Sequence, residues 1–162
     1  MTANKNQDLK QTNISMESKR LGWDSFFLAQ AKTYASRGTC NRLQVGCIIT
    51  KDNLQLAEGY NGSISGHDHC SDHETGCLLN EEGRCIRTIH AEQNALLNAM
   101  KKGVSVQGGT AYVTHEPCET CTKLLNQAGI KRVVFLKPYN NKYNKHFQQG
   151  MEMVYHKEED NT

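Results

Sequence analysis

The stretch "GTAYVTHEPCETCTKLL", residues 109–125, combines a strand pattern with a helix pattern that follows it directly. Pro117 suits the first position of a helix, where a residue without an amide hydrogen loses no bond. Cys118 and Cys121 are one helical turn apart, so both sulfurs lie on one face of that helix. The dipole at a helix N-terminus favours thiolate over thiol. The stretch therefore predicts a strand that leads into a pair of metal-binding thiolates.

Helix and strand patterns alternate on both sides of this stretch. Helical spacing covers residues 23–38 and 90–102, and strand patterns cover residues 43–62 and 130–138. A turn is expected within the first strand region, at Lys51, Asp52 and Asn53. The helix over 90–102 has an apolar face made of Ala91, Ala95, Leu96, Ala99 and Met100. Strands that alternate with helices predict an α/β domain whose sheet is covered by helices on its faces.

The length of 162 residues allows one domain with a core of its own. We predict a flexible polar tail over residues 1–20, a domain over 21–140, and a C-terminal segment with a polar tail over 141–162. Residues 63–87 form an insert that is rich in cysteine and histidine and has few large apolar side chains. A stretch of this length without its own core is functional, disordered or held by a ligand, and here we expect a metal.

The net charge of +2 lacks the strong basic excess that is typical of proteins that follow a phosphate backbone. A small anionic ligand is therefore expected rather than a nucleic acid. No run approaches the roughly 18 apolar residues that span a bilayer, and no apolar signal-peptide core is present, so we expect a cytoplasmic protein without a membrane partner. Seven cysteines, an odd number, favour metal binding over a set of disulfides.

A second short motif, "HAE" at residues 90–92, begins the helix that precedes the strand. His90, Cys118 and Cys121 make three protein ligands, which leaves the fourth position of a tetrahedral zinc open, as in catalytic sites. Water there becomes hydroxide near neutral pH, and Glu92 can take its proton. A Cys-x-x-Cys pair alone also occurs in redox sites and in structural zinc sites. His-x-Glu together with Pro-Cys-x-x-Cys indicates a zinc-dependent nucleobase deaminase.

The chain resembles the deoxycytidylate (dCMP) deaminases of bacteria and phages, including the competence-operon type, over roughly residues 23–138. The matching stretches are "CNRLQVGCII" (40–49), "GYNGSISG" (59–66), "HC" (69–70), "RCIRTIHAEQNALL" (84–97), "YVTHEPCETCTKLL" (112–125) and "GIKRVVF" (129–135). The zinc signature is shared across the whole superfamily, whereas "GYNG" and "CIRTIHAEQNA" are much narrower.

The resemblance implies a three-layer α/β/α cytidine deaminase-like fold with a mixed central sheet. It also implies a hydrolase that converts dCMP to dUMP, releases ammonia and supplies thymidylate synthesis. Carried onto this chain, it makes His90, Cys118 and Cys121 the ligands of a catalytic Zn²⁺. Glu92 then protonates the pyrimidine ring nitrogen and afterwards the departing amino group.

Substrate contacts are expected on both sides of this centre. The resemblance implies that Asn61 faces the nucleotide, with an amide that can donate to and accept from the sugar hydroxyl and the base. The candidates for binding the phosphate are the guanidinium of Arg42 and the phenol of Tyr139, both near expected strand ends. Exposed arginines are usually only solvated, and Tyr139 could equally be a packing residue.

The resemblance further implies allosteric regulation in a homo-hexamer, with activation by dCTP together with Mg²⁺ and inhibition by dTTP. The effector site would use the subunit interface and the turn formed by Gly59, Tyr60, Asn61 and Gly62. Read without the resemblance, this turn is an ordinary strand-end turn. Asn98 and Lys101 are expected to point outward from the helix over 90–102.

Four further cysteines, Cys40, Cys70, Cys77 and Cys85, match the number of ligands in a closed structural zinc site. We therefore expect a second zinc that ties the insert to the end of the first helix, with His67, His69 or His73 able to replace one sulfur. The alternative is a loop without metal. Cys47 lies in an apolar strand and is expected in the core.

Three other functions compete with dCMP deamination. The first is a nucleic-acid deaminase, such as a tRNA adenosine deaminase, which shares the zinc signature. The modest net charge and the long insert of this chain argue against it. A free-nucleoside deaminase is disfavoured by "GYNG" and by the insert. The third is a non-catalytic zinc-binding accessory protein of DNA uptake, and an intact Glu92 argues against it.

Overall fold

The computed structural model describes residues 20–72, 74 and 76–158 of the chain. The elements in chain order are α1 (Trp23–Ala35), β1 (Gly46–Lys51), β2 (Leu54–Tyr60), α2 (Ala91–Lys102), β3 (Thr110–His115), α3 (Glu119–Gln127), β4 (Arg132–Lys137), a 3₁₀ helix (Asn144–Phe147) and β5 (Glu152–Tyr155). The predicted tail over residues 1–20 lies outside the described residues apart from Arg20, as do His73 and residues 159–162.

The strands form one mixed sheet in the order β2-β1-β3-β4-β5. β1 is antiparallel to both β2 and β3, while β4 is parallel to both β3 and β5. The predicted turn between β1 and β2 is present, with left-handed backbone angles at Asp52 (φ 51°) and Asn53 (φ 59°). The mixed central sheet is therefore confirmed.

Helices cover both faces of this sheet. α1 packs on one face, where Phe27 and Leu28 contact Ile48, Tyr112 and Val134. α2 and α3 pack on the other face, over a separate core that includes fully buried Cys47 in β1, as predicted. The three-layer α/β/α arrangement is confirmed. None of the helices in the described part of the chain has the length and apolar character needed to cross a membrane.

Two predictions about α2 are wrong. Met100 was expected on its buried face but is 67% exposed, because α2 turns its small alanines toward the sheet. Asn98 was expected to point outward, but its side-chain amide donates to the Glu58 carbonyl oxygen at 2.7 Å. β2 is an edge strand, so its carbonyl groups lack a neighbouring strand on that side, and the Asn98 side chain takes the place of one.

The C-terminal segment is more ordered than its weak pattern indicates. A 3₁₀ helix over Asn144–Phe147 leads to β5, which pairs in parallel with β4, for example Val133 with Met153. A strand of this length has too few residues to show a period of two, and it depends on the free edge of β4 for its hydrogen bonds. Only tertiary structure reveals it.

Candidate functional site

Two helix N-termini meet at the carboxyl end of β3 and bring the predicted metal ligands together. His90 is the N-cap residue of α2, and Cys118 is the N-cap residue of α3. The His90 Nδ1 atom lies 3.5 Å from Cys118 Sγ and 3.3 Å from Cys121 Sγ. Residues separated by some thirty positions in sequence thus form one cluster.

Local hydrogen bonds hold both helix starts in place. The His90 amide donates to the Gln93 side-chain oxygen at 3.0 Å, and the Thr122 amide donates to the Cys118 carbonyl at 2.8 Å. Pro117 was predicted at the first helical position, but α3 begins at Glu119, so the proline precedes the N-cap. The extended backbone of Cys118, with φ −67° and ψ 169°, delays the start of the helix.

The geometry of this cluster fits a tetrahedral zinc ion. At usual zinc–ligand lengths, neighbouring ligand atoms lie roughly 3.5–3.8 Å apart. The ligand atoms of His90, Cys118 and Cys121 all lie within 4.8 Å of one another. The Cys121 thiol and the His90 ring, as hydrogen-bond partners, lower the pKa of Cys118 to about 4. Cys118 is therefore a thiolate at neutral pH, which is the metal-binding form.

Glu92 lies in the first turn of α2, directly beside this cluster. It is only 5% exposed, and burial raises the pKa of its carboxyl group. The nearby His90 and Cys121 act in the opposite direction on that pKa, the first through its charge and the second through a hydrogen bond. A buried carboxyl group with a raised pKa is suited to accept and return a proton.

A cavity of about 560 Å³ leads from the surface to Glu92. Its walls include His90, Glu92 and Cys118 at the cluster, and also the substrate-binding candidates Arg42, Asn61 and Tyr139. Other lining residues are Leu43, Asn80, Arg84, Ile86, Thr88, His115 and Glu116. The volume is in the range of cavities that hold small molecules.

Asn61 is largely committed to the protein backbone. Its side-chain oxygen accepts from the Val45 amide at 2.7 Å, and its side-chain nitrogen donates to the Leu43 carbonyl at 2.7 Å. Since an amide has four hydrogen-bonding positions, one donor and one acceptor position remain for a ligand. Asn61 therefore lines the cavity while it also fixes the segment that enters β1.

The neighbouring residues of the predicted effector turn have packing roles. A β-carbon at Gly59 would lie 2.5 Å from the Ala95 nitrogen, so only glycine permits this approach of β2 to α2. Gly62 exchanges backbone hydrogen bonds with Ile89 at 2.9 and 3.1 Å. The Tyr60 carbonyl accepts from the Asn94 side chain at 2.9 Å. The strand-end turn thus anchors the segment that leads into α2.

A second cluster lies beside the cavity and consists of Cys40, Cys70, Cys77 and Cys85. The sulfur atoms of Cys40 and Cys77 are 3.6 Å apart, as are those of Cys70 and Cys85. A disulfide would require about 2.05 Å, whereas two sulfurs on one zinc lie about 3.8 Å apart. The four side chains therefore have the spacing of a closed metal site that joins the insert to the loop after α1.

Arg84 is one of the cavity residues that the sequence predictions omitted. It lies within the insert and directly precedes Cys85, so a cation next to an expected metal ligand was the available signal. His115 and Glu116 belong to the strand–helix junction quoted first, yet neither was assigned a position at the cavity.

Comparison with protein families gives a match over residues 21–137 to the cytidine and deoxycytidylate deaminase zinc-binding region. The ComE operon protein 2 of Bacillus subtilis is 48% identical over 121 residues, which are 75% of this chain and 62% of that protein. The deoxycytidylate deaminase of Mycobacterium phage D29 is 36% identical over 132 residues, 73% of this chain and 97% of the phage protein.

Some relatives are much longer than the matched region. The chain spans 39% of the deoxycytidylate deaminase of Schizosaccharomyces pombe, at 37% identity. Among solved structures, the dCMP deaminase of cyanophage S-TIM5, in complex with dCMP and dUMP, superposes with a TM-score of 0.70 at 31% identity. That match covers 86% of this chain and 99% of the phage chain.

Proposed function

The chain belongs to the cytidine and deoxycytidylate deaminase family, and from this premise we propose that it hydrolyses dCMP to dUMP and ammonia. One observation carries the proposal: buried Glu92 lies beside the His90, Cys118 and Cys121 cluster at the end of a nucleotide-sized cavity. The relative crystallised with dCMP and dUMP supports this choice of substrate. The product would supply thymidylate synthesis.

His90, Cys118 and Cys121 would hold a catalytic Zn²⁺. When bound, zinc supplies a water molecule that is acidic enough to act as a nucleophile near neutral pH. These three side chains would supply three of the four ligands, which is the number that proteins provide in catalytic rather than structural zinc sites.

Glu92 would move the protons that the reaction requires. Its carboxyl group is enclosed by protein, and its raised pKa allows it to hold a proton closer to neutral pH. It would take a proton from the attacking water and give it to the pyrimidine ring nitrogen while the hydroxyl group adds to the ring carbon. It would then carry the proton of that hydroxyl group to the amino group, which leaves as ammonia when the carbon–nitrogen bond breaks and the carbonyl group forms. One residue can perform both transfers because both nitrogen atoms are bonded to the carbon that is attacked.

Asn61, Arg42 and Tyr139 would bind the rest of the nucleotide. All three line the cavity that contains Glu92. The free donor and acceptor positions of Asn61 suit the sugar, and the guanidinium of Arg42 and the phenol of Tyr139 suit the phosphate. One Arg42 nitrogen already donates to the Gly83 carbonyl at 2.7 Å, so the other nitrogens would serve the ligand.

Cys40, Cys70, Cys77 and Cys85 would hold a second, structural zinc. All seven cysteines of the chain are free, so the four thiols of this cluster are available to a metal. The 3.6 Å spacing of the sulfur pairs supports a single ion shared by the four side chains.

Regulation and assembly complete the proposal. The enzyme would be a homo-hexamer that is activated by dCTP with Mg²⁺ and inhibited by dTTP. Tyr60, which is half-buried, and Asn61, which is buried but lines the cavity, are the part of the strand-end turn that would contact an effector, since Gly59 and Gly62 are occupied by packing and backbone pairing.

The test is ammonia release from dCMP by the purified protein, with and without dCTP and Mg²⁺. Glu92→Ala is the blank, which should retain zinc but lose turnover. Turnover that rises with dCTP would support both substrate and regulation. Turnover that does not change with dCTP would support the proposed activity and reject the proposed effector site. No turnover in a zinc-loaded preparation would reject dCMP as substrate and direct attention to modified nucleotides and tRNA.

A further inference from the structure

A tight turn at the mouth of the cavity is built by one asparagine of the insert. The Asn80 side-chain oxygen accepts from the amides of Glu82 (3.2 Å) and Arg84 (2.8 Å). The Asn80 amide donates to the Arg84 carbonyl at 2.9 Å, and the Gly83 amide donates back to the Asn80 carbonyl at 3.0 Å. Gly83 has a φ of 76°, a conformation that glycine adopts without strain. The turn therefore has a defined backbone shape although it lies in an insert without helices.

Two further contacts fix this turn relative to the cavity. Arg42, from the loop after α1, donates to the Gly83 carbonyl at 2.7 Å. On either side of the turn, Cys77 and Cys85 belong to the four-cysteine cluster together with Cys40 from the same loop. The backbone of Arg84 is thus held between a guanidinium clamp and the cluster.

The Arg84 side chain faces the cavity without a partner. It lines the cavity that contains His90 and Glu92. Within residues 20–72, 74 and 76–158, no hydrogen bond or ion pair engages this guanidinium.

Two acidic residues near the turn and the cavity, Glu82 and Glu116, have partners other than Arg84. The Glu82 carboxylate accepts from the Asn80 side chain at 2.8 Å. The Glu116 carboxylate accepts from the Tyr139 amide at 2.9 Å and from the Asn144 side chain at 3.4 Å. Since neither of these carboxylates pairs with Arg84, its guanidinium is available to an anionic group of a ligand.

We infer that Arg84 binds the 5′-phosphate of the substrate and makes the enzyme prefer a nucleotide over a nucleoside. The inference rests on the proposed function. It follows from the depth of the groups: the base must reach buried Glu92, so the phosphate, at the other end of the nucleotide, lies near exposed Arg84. A planar guanidinium can donate two parallel hydrogen bonds to phosphate oxygens. Arg84 adds to Arg42, one nitrogen of which holds the turn.

The test compares dCMP with deoxycytidine, which lacks the phosphate, in the zinc-loaded enzyme. Arg84→Gln should raise KM for dCMP by about tenfold or more, since a charge-assisted hydrogen bond is lost. It should leave kcat for dCMP and kcat/KM for deoxycytidine nearly unchanged. Arg84→Lys keeps the positive charge but not the planar guanidinium, so its KM for dCMP should lie between those of the wild type and Arg84→Gln. Inhibition by dUMP and by deoxyuridine gives the same comparison if turnover of the nucleoside is too slow to measure.

Arg37→Gln is the matched control, because Arg37 is exposed just after the end of α1 and does not line the cavity that contains Glu92. This variant should have the wild-type kcat and KM for both substrates. An equal loss of kcat/KM for dCMP and for deoxycytidine in Arg84→Gln would overturn the inference, as would an unchanged KM for dCMP. A wild-type enzyme without turnover of dCMP would instead reject the proposed function itself, and the inference with it.

Discussion

At Gly59 a single missing side chain sets the distance between a strand and the helix that carries the candidate site. A β-carbon there would lie 2.5 Å from the Ala95 nitrogen, which belongs to the helix backbone and cannot move alone. α2 begins next to His90 and carries Glu92 in its first turn. A shift of this helix therefore displaces a proposed metal ligand and the proposed proton carrier together.

Gly59→Ala should destabilise the fold by roughly 1–3 kcal/mol, the range for overpacking a close contact. It should also lower the turnover of dCMP, because α2 must move away from β2. Urea unfolding and ammonia release measure the two effects. Gly22→Ala is the control, since no heavy atom lies within 4 Å of a β-carbon at that position. Equal stability and activity in both variants would show that the contact relaxes at no cost.

At the scale of elements, a polar contact joins α1 to the sheet. The Asp24 carboxylate accepts two hydrogen bonds from Arg132, each 2.7 Å long, and one from the Tyr112 hydroxyl at 3.0 Å. The Arg132 guanidinium holds the pKa of Asp24 below its usual value. Asp24 is thus ionised in the folded protein at pH values where it is partly protonated in the unfolded chain.

A carboxyl group with a lowered pKa in the folded state adds stability above its unfolded pKa, and that stability is lost as the pH falls through the folded pKa. Asp24→Asn should therefore lower the free energy of unfolding by about 1–3 kcal/mol at pH 7. The difference in stability between variant and wild type should narrow below about pH 4. Urea unfolding at several pH values measures it. Asp52→Asn, in an exposed turn, is the control. A difference in stability that does not change with pH would contradict the ionic role of Asp24.

The insert is the second element whose position depends on side chains rather than on a core of its own. Cys77→Ser should lower the zinc content from two ions per chain to one, because it removes one ligand of the four-cysteine cluster. It should also raise KM for dCMP, since the turn over residues 80–84 loses an anchor. Elemental analysis and steady-state kinetics measure both.

Cys47→Ala is the matched control for this change, because Cys47 is buried in the core and outside both clusters. That variant should keep two zinc ions. A wild-type protein with one zinc per chain would reject the second site, whatever the kinetics of Cys77→Ser.

At the scale of the whole molecule, the site was easier to predict than its surroundings. His90, Cys118 and Cys121 are marked by short motifs at helix starts, and the spacing of the two cysteines predicts that their sulfurs lie close together. β5 has no such mark, because its hydrogen bonds come from the edge of β4.

Arg84 illustrates why other contacts could not be predicted. Its position at the cavity depends on a turn made by Asn80, on a clamp from Arg42 and on the four-cysteine cluster. None of these distances is encoded in the spacing of neighbouring residues. Asn61 is similar, because its bonds to the segment entering β1 appear only once the chain is folded.

The outer face of α2 bears on the assembly of the whole molecule. Leu97 (38%) and Met100 (67%) are exposed three residues apart on α2, and Val104 (38%) is exposed just beyond the end of that helix. Apolar side chains that are exposed together on a folded domain mark a contact with a partner. In the proposed homo-hexamer, a second copy of the chain is the natural occupant.

Met100→Lys should therefore shift the protein toward smaller species, because a charge would be buried in the interface without a partner. Light scattering coupled to size-exclusion chromatography measures the mass, and circular dichroism verifies that the fold is kept. Leu54→Lys is the control, since Leu54 is equally exposed (69%) but lies at the start of β2, away from α2. A wild-type monomer would reject the hexamer. An unchanged assembly in Met100→Lys would place the interface on another face of the domain.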